Sequence, residues 1–433
     1  MLGVVVVSWP AAAFAQVAPP APEAVAVGDW LLAPLAEARV RGEYWHDLDG
    51  TDRGVLLERA RLGVDALRGA IEGRVVLQDA RLWDLGAGSD TIGGPGAVAA
   101  TGVYEAWGEA HTSGARPSFL RVGRQAVTWG EGRLLGVADW SPTGRTLDAV
   151  RGRLVVSDGV FELLAASLSD PDDALLAYGE LIGARAEWGF DPLFAAEGYA
   201  LARLAQANPR RSLEGSVHGE TYTGALRLHG DGRGWTWGAE GALQLGRADQ
   251  LVLRSAADRL AWAAAGHVAH TFQHTLLLPT VRLGASYASG DHGGSTYRAF
   301  DPLLPDVHAW HGAMDLFAWS NEADASARLS VAPFTDAIAA VEYRYVRLAE
   351  PGGSWRTAYL VTIGSLPGNT QADLGHELDA MLTWSPWVPV ELSGGYSLLV
   401  LGDGARAILG ALGTAGPPGA AHFGYLQATL RLP

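Results

Sequence analysis

The residues of this sequence that could do chemistry are arginines and carboxylates that alternate with apolar residues. In residues 56–67, Arg59, Arg61 and Asp65 share one parity, whereas leucine, valine and alanine dominate the other. Side chains at every second position of a β-strand lie on the same face. Because a guanidinium binds a carboxylate through two parallel hydrogen bonds, such a face predicts contact with an anionic ligand.

The same alternation recurs in residues 147–157, 180–190 and 374–384. Strand parity assigns a set of arginines and acids to the polar face, which we predict to line an aqueous lumen. The basic candidates are Arg59, Arg61, Arg74, Arg121, Arg151, Arg153, Arg185 and Arg344. The acidic candidates are Asp65, Glu72, Glu105, Glu109, Glu187, Glu342, Glu377 and Asp379. The alternative for each arginine is a structural role, in which it pairs with an acid on a neighbouring strand.

Composition excludes several classes of protein. All 32 basic residues are arginine, against 47 acids, which gives a formal net charge of −15. Nucleic-acid binding is not predicted, because it requires a basic face. The sequence has no cysteine, so disulfides and thiolate metal sites are excluded. Fifteen of the arginines fall between residues 39 and 153.

The elements that must position these residues are β-strands. Alternating pieces of about ten residues, separated by turns rich in glycine and aspartate, are typical of a transmembrane β-barrel. About 400 residues, at roughly 22 per strand and connection, predict a single-domain antiparallel barrel of about 18 strands. A soluble β-sandwich is the alternative.

Six tryptophans at predicted strand ends are expected at the membrane interface: Trp45, Trp83, Trp129, Trp188, Trp384 and Trp387.

The amino end has the pattern of an export signal. Residues 1–15 are apolar and end in Ala13-Phe14-Ala15, which predicts a signal peptide cleaved before Gln16. We expect residues 16–33 to form a flexible leader and residues 34–433 to form the barrel. The predicted location is the bacterial outer membrane.

The ordered motifs of the chain resemble the alginate export family of outer-membrane barrels. They include LERARLG at residues 57–63, WGEGRLLG at 129–136, DWSPTGRTLDAVR at 139–151, FDPLLP at 300–305 and LGHELD at 374–379. The resemblance implies an 18-stranded barrel whose arginine-lined constriction passes an acidic polysaccharide, with loops that gate each mouth.

Three further arginines belong to the block that most resembles this family. Arg124 and Arg133 are off the inward parity or in a turn, and Arg145 follows them. We expect them to contact substrate from a loop that folds inward or from a strand end, with bracing of a turn as the alternative. The expected partners are outer-membrane lipid and lipopolysaccharide, an acidic polysaccharide and periplasmic secretion-complex proteins. No cofactor is implied, and a monomer is expected.

Other functions have less sequence support. A diffusion porin for small anionic or neutral solutes shares the predicted fold. An outer-membrane hydrolase is not favoured, because the segment around Ser286 lacks the second glycine of a nucleophile elbow. His267, His270 and His274 have no fixed carboxylate beside them, so no zinc site is predicted. An acidic segment at residues 170–173 could bind Ca²⁺ or form a solvated loop.

Overall fold

The computed structural model describes residues 24–84, 99–168, 179–191, 193–205, 219–250, 255–414 and 418–432. It is a closed antiparallel β-barrel of eighteen strands, which confirms the predicted fold class. The strands are β1 (Trp30–His46), β2 (Asp52–Arg68), β3 (Ile71–Asp84), β4 (Ala99–His111), β5 (Phe119–Gln125), β6 (Leu147–Val156), β7 (Gly159–Ser167), β8 (Gly179–Asp191), β9 (Phe194–Ala205), β10 (Gly219–Gly232), β11 (Trp235–Gln250), β12 (Ser255–Thr271), β13 (Thr280–Ala288), β14 (Glu322–Val331), β15 (Ala337–Leu348), β16 (Asp373–Trp387), β17 (Val390–Leu401) and β18 (Ala420–Leu432).

The barrel closes where β1 pairs with both β2 and β18, for example Ala36 with Leu432. Short segments Val25–Val27 and Thr296–Tyr297 extend the sheet, and Ser354–Arg356 pairs with Thr362–Ser365. One helix, α1 (Asp403–Ala411), follows β17. The described part of the chain contains no helix with the length and apolarity of a membrane span.

The first strand begins before the boundary expected at residue 34. β1 starts at Trp30, inside the segment interpreted as a leader, and Val25–Val27 pairs with its first residues. The signal peptide predicted for residues 1–15 and the acidic segment at 170–173 lie outside the described residues.

Strands such as β2 have an apolar outer face and an inner face that carries charges. On β2, Leu62 is 63% exposed and Val64 is also exposed, whereas Arg59 on the opposite parity is buried. An exposed apolar band is what the hydrocarbon layer of a membrane covers. Arg59 therefore lies on the face opposite the apolar band.

The tryptophan prediction holds only in part. Trp83, Trp188, Trp384 and Trp387 are exposed near strand ends, where indoles suit the membrane interface. The prediction is wrong for Trp129, which is 1% exposed inside the barrel because its indole Nε1 donates to Glu162 at 3.0 Å.

Trp45 is also not part of the outer belt. It lies on the inward parity of β1 and packs against Phe423 of β18, with ring centroids 4.1 Å apart. Its packing partner therefore lies on the strand that closes the barrel.

The two ends of the barrel differ. Two-residue turns join β6 to β7 and β10 to β11 at one end, and the opposite end carries long loops at residues 126–146, 289–321 and 349–372. Outer-membrane barrels have short periplasmic turns and longer extracellular loops, so the long loops belong to the extracellular end.

Two of the long loops fold into the barrel and pack on each other. We call residues 126–146 loop A, residues 289–321 loop B, and the two together the plug. Gly136 N donates to Leu304 O at 2.9 Å, and Leu304 N donates to Leu134 O at 3.1 Å. Trp129, Leu134 and Leu304 belong to one buried apolar cluster with inward residues of the strands. The hydrophobic core therefore lies inside the lumen.

Gly123 of β5 permits a close approach to β4. Its φ is +125°, and an added Cβ would lie 2.2 Å from the carbonyl oxygen of Ala106. We expect Gly123→Ala to lower the free energy of unfolding by about 1–3 kcal/mol, because the backbone must move or remain strained. The measurement is denaturant unfolding in detergent, followed by the heat-dependent gel shift of the barrel.

Gly152→Ala on β6 is the matched control, since a Cβ there meets nothing within 4 Å. Equal stabilities of the two variants would contradict the close approach.

Candidate functional site

Three arginines of β1 and β2 bind the same aspartate of loop A. Arg59 Nη1 and Arg61 Nη1 donate to Asp139 Oδ1 at 2.9 and 3.0 Å, and Arg39 Nη1 donates to the Asp139 carbonyl oxygen at 2.7 Å. Arg61 also donates to Thr143 O at 3.4 Å. Arg59 and Arg61 face inward as predicted, and they attach loop A to the barrel wall.

The charge of Asp139 is strongly stabilised in this cluster. Partial burial by itself raises the pKa of Asp139, but the guanidinium groups of Arg59, Arg61 and Arg39 outweigh it and hold the pKa at about 2. The side chain keeps 44% of its surface exposed to the lumen. Asp139 is therefore ionised at neutral pH, and the attachment is electrostatic.

Loop B attaches to the opposite wall. Asp301 forms an ion pair with Arg203 of β9, and its backbone N–H donates to Gln244 Oε1 of β11 at 2.9 Å. Since loop A binds β1 and β2 while loop B binds β9 and β11, the plug crosses the lumen.

Arg133 and Arg145 lie within the plug. Arg145 Nη1 donates to Gly136 O at 3.0 Å and to Pro305 O at 2.9 Å, which joins loop A to loop B. Arg133 stacks over Trp310 at 3.9 Å and pairs with Glu131 at 3.4 Å. The expected inward fold of this loop is present, but both arginines are buried, so they brace the plug.

Arg124 lies on the outer face of β5. Its Nε and Nη2 atoms donate to the two carboxylate oxygens of Asp148 at 2.8 Å each. Both side chains have the parity of the exposed residues Leu120 and Val150. Arg124 therefore does not line the lumen, because its parity and its partner both place it outside.

Four predicted arginines come together on β5, β6 and β8. We call Arg121, Arg151, Arg153 and Arg185 the arginine wall. Arg151 Nη2, Arg153 Nε and Arg185 Nη1 lie 2.8, 3.0 and 3.6 Å from the carboxylate of Glu162 on β7. Arg121 pairs with Glu109 at 2.8 Å, and Arg185 with the predicted Glu187 at 2.5 Å.

The arginine wall presents its cations to the lumen and covers its main anion. The Glu162 side chain is 0% exposed, whereas Arg153 is 32% exposed and Arg151 and Arg121 are partly exposed. The carboxylate is covered, while the side chains of the surrounding arginines keep part of their surface exposed. Such a surface can bind carboxylates transiently.

Arg74 joins two predicted acids beside the wall. Its Nε donates to Asp65 Oδ1 at 2.6 Å, and its Nη1 reaches Glu105 Oε2 at 3.4 Å. Arg74 and Asp65 are both partly exposed to the lumen. This triad has one arginine and two carboxylates, so its formal net charge is negative.

Arg344, Glu377 and Asp379 face inward on β15 and β16, but the plug covers them. Arg344 forms an ion pair with Asp324, and Glu377 Oε1 accepts the Met314 N–H of loop B at 3.0 Å. Glu377 and Asp379 are both buried. Glu377 holds loop B through this bond, and the structure does not bring the three residues to the arginine wall.

Several of the residues that build the site were not predicted. Glu162 is the acid at the centre of the arginine wall. Asp139 attaches loop A to the barrel, and Arg39 and Arg41 donate to backbone carbonyl groups of loop A. The sequence signal for Glu162 is a single acid on the inward parity of β7, between Val160 and Leu164. Asp139 lies in a loop, where parity carries no information.

The comparisons with known proteins agree with this architecture. The profile of a family described as Alginate export matches residues 36–413. No curated protein sequence matches the chain.

Solved outer-membrane proteins have a similar fold. OpdK of Pseudomonas aeruginosa is 13% identical, with a TM-score of 0.59 over 92% of this chain and 98% of that protein. OccAB1 of Acinetobacter baumannii is 11% identical, with a TM-score of 0.59 over 96% of this chain and 100% of that protein. A structure of OpdK with vanillate is 12% identical, with a TM-score of 0.59 and coverage of 92% and 98%. At these identities, the similarity shows the fold.

Removing the charge of Asp139 should loosen loop A and make the lumen more anion-selective. Asp139→Asn leaves the positive charges of Arg59 and Arg61 without their shared carboxylate. We expect a higher single-channel conductance in planar bilayers and a reversal potential shifted toward anion selectivity. Asp148→Asn, which removes an aspartate paired with arginine on the outer face, should change neither quantity. Identical shifts in both variants would contradict the role of Asp139.

Asp306 should make the stability of the plug depend on pH. Burial raises the pKa of Asp306 to about 6, although Arg145 and the backbone N–H groups of Ala138 and Val307 oppose the shift. Because the pKa of Asp306 is higher in the folded protein than in the unfolded chain, protonation of Asp306 as the pH falls through about 6 stabilises the folded plug. The protection factors of the loop B amides, which are exchange rates corrected for intrinsic rates, should therefore be higher at about pH 5 than at about pH 7.

Asp306→Asn is the control for this pH dependence. The variant should show the same protection of loop B at both pH values, since the amide does not titrate. Unchanged pH dependence in the variant would assign the effect to another group.

Proposed function

The chain belongs to the alginate export family, and we propose that this outer-membrane channel passes an anionic, carboxylate-bearing polysaccharide along its arginine wall. The observation that carries the proposal is the difference in exposure within the wall. The side chains of Arg153 and Arg121 are 32% and 19% exposed, whereas those of Glu162 and Glu109 are 0% and 4% exposed. A passing carboxylate therefore meets positive charge first.

The acids behind the arginines limit the strength of binding. A channel must attract its substrate enough to admit it and release it again at each site. Each guanidinium of the wall already shares its charge with Glu162, Glu109 or Glu187, so a substrate carboxylate competes with a fixed partner. Successive arginines on β5, β6 and β8 would offer a polymer several equivalent weak contacts.

The plug would control access to this wall. It crosses the lumen between Arg59 and Arg203, so a polymer needs loops A and B to move aside. The attachments are ion pairs and backbone hydrogen bonds, which can exchange with solvent or with an anionic ligand. We propose that arrival of the polymer competes for these arginines and displaces the plug.

Passage of small carboxylates is the second candidate function. The plug leaves less room than an open barrel, and the similarly folded OpdK has been solved with vanillate. The same arginines would bind a single carboxylate. Both candidates are channels, in agreement with the family and the fold, which are those of a channel barrel.

Removing two charges of the arginine wall should weaken interaction with a polyuronate. In planar bilayers, Arg151→Gln with Arg153→Gln should reduce anion preference and raise severalfold the polyuronate concentration needed to block current. Glutamine retains hydrogen-bonding capacity, so the change reports mainly on charge. Arg124→Gln is the matched control, since Arg124 lies on the outer face of β5.

The comparison of polymer and monomer separates the two candidate functions. Block by a polyuronate but not by its monomer supports polymer export, whereas competition by the monomer alone supports passage of small carboxylates. Unchanged selectivity and block in a folded Arg151/Arg153 variant would overturn the role of the arginine wall.

A further inference from the structure

One imidazole of the plug faces two carboxylates of the barrel wall. His311 lies in loop B, and Glu322 and Asp324 lie on the inward parity at the start of β14. The Nδ1 atom of His311 is 2.8 Å from Glu322 Oε1 and 3.8 Å from Asp324 Oδ2. One ligand atom from each of the three residues lies within 4.8 Å of the other two. This spacing is compatible with three ligands around one ion.

The group is buried and contains a carboxylate oxygen without a partner. The side chains of Glu322 and Asp324 are each 3% exposed. Within the described residues, Glu322 Oε2 has no hydrogen-bond partner, whereas His311 Nδ1 contacts Glu322 and Asp324 as ion pairs without hydrogen-bond geometry. Buried polar atoms are normally satisfied, because an unmade hydrogen bond costs the full desolvation of the group. A ligand bound between the three side chains would give Glu322 Oε2 a partner.

Neighbouring residues orient the two carboxylates. Arg344 donates to Asp324 Oδ1, which leaves Oδ2 directed at the cluster. Ser286 Oγ of β13 donates to Asp324 Oδ2 and lies 3.2 Å from Glu322 Oε1. Carboxylates that bind metals usually carry such outer hydrogen bonds, which fix their orientation.

Charged neighbours balance part of the group. Arg344 binds both Asp324 and Glu342, Arg328 Nη1 also lies 3.7 Å from Glu342, and Glu322 faces His311. A buried carboxylate needs a paired charge, a proton or a metal ion. A divalent ion between His311, Glu322 and Asp324 would neutralise the two acids that face the plug.

We propose that His311, Glu322 and Asp324 bind a divalent transition-metal ion, with Zn²⁺ as the occupant that fits the ligands best. Proteins bind Zn²⁺ through histidine nitrogen and through aspartate and glutamate oxygen, which are the ligand atoms present here, and water would complete the coordination. Ca²⁺ and Mg²⁺ prefer all-oxygen sets. The ion would join loop B to β14, and so hold the plug closed.

Zinc content of the purified full-length barrel tests this proposal directly. Protein stripped with a chelator is dialysed against Zn²⁺ in detergent, and bound metal is measured by mass spectrometry. We expect one equivalent in the wild type, and its loss in His311→Ala and in Glu322→Gln. His267→Ala is the matched control, because His267 is also buried and inward but faces a lone acid, Glu131, at 3.8 Å. That variant should retain the equivalent.

A spectroscopic measurement on the wild type keeps the test independent of the folding of the variants. Zinc X-ray absorption should show a first shell at about 2.0–2.2 Å together with the outer-shell scattering of a bound imidazole ring. A spectrum without imidazole scattering, equal displacement by Ca²⁺, or zinc content no higher than that of His311→Ala would overturn the proposal. The pair would then be an ordinary imidazolium–carboxylate contact.

The effect of the metal ion on closure of the plug is measured separately, by the frequency of channel opening. Chelation should increase the frequency of channel opening in planar bilayers, and zinc should reverse it in the wild type but not in His311→Ala. Because metal binding is measured in detergent without transport, its outcome does not depend on which solute the channel passes.

Discussion

The hydrocarbon layer imposes the constraint on which the rest of this structure depends. Backbone N–H and C=O groups within lipid must bond inside the protein, so a sheet can cross only if it has no free edge. Here β1 pairs with β18 as well as with β2, and the closure is continuous from Ala36 to His46. Closure gives every strand one lipid face and one lumen face. That division accounts for the alternation of the sequence.

Closing a barrel of eighteen strands creates an interior that side chains alone do not fill. Loops A and B fill part of this interior, and their apolar cluster around Trp129 and Leu304 lies in the lumen. The cost of placing charged walls beside this core is offset by pairing. Asp139 and Asp301 from the loops meet Arg59 and Arg203 from opposite walls. The plug therefore combines an apolar cluster, internal hydrogen bonds of Arg145, and ion pairs to the barrel wall at its edges.

The lumen charges fall into two functional groups because of this plug. Where the plug covers the wall, Arg344 is buried with Asp324, and Glu377 accepts a hydrogen bond from loop B. Where the wall remains open, Arg153 and Arg121 keep exposed surface while their acids are covered. Identical residue types thus have different environments, and the loop path decides which environment each one has.

The sequence by itself determined the fold class, the approximate strand number and the inward direction of residues such as Arg59 and Arg153. It could do so because parity is a local property that repeats along each strand. Only the tertiary structure decided which residues meet inside. Arg59 and Asp139 are 80 positions apart, and Arg145 and Pro305 are 160 apart. Such contacts depend on how two long loops fold into the lumen, and no periodicity encodes that path.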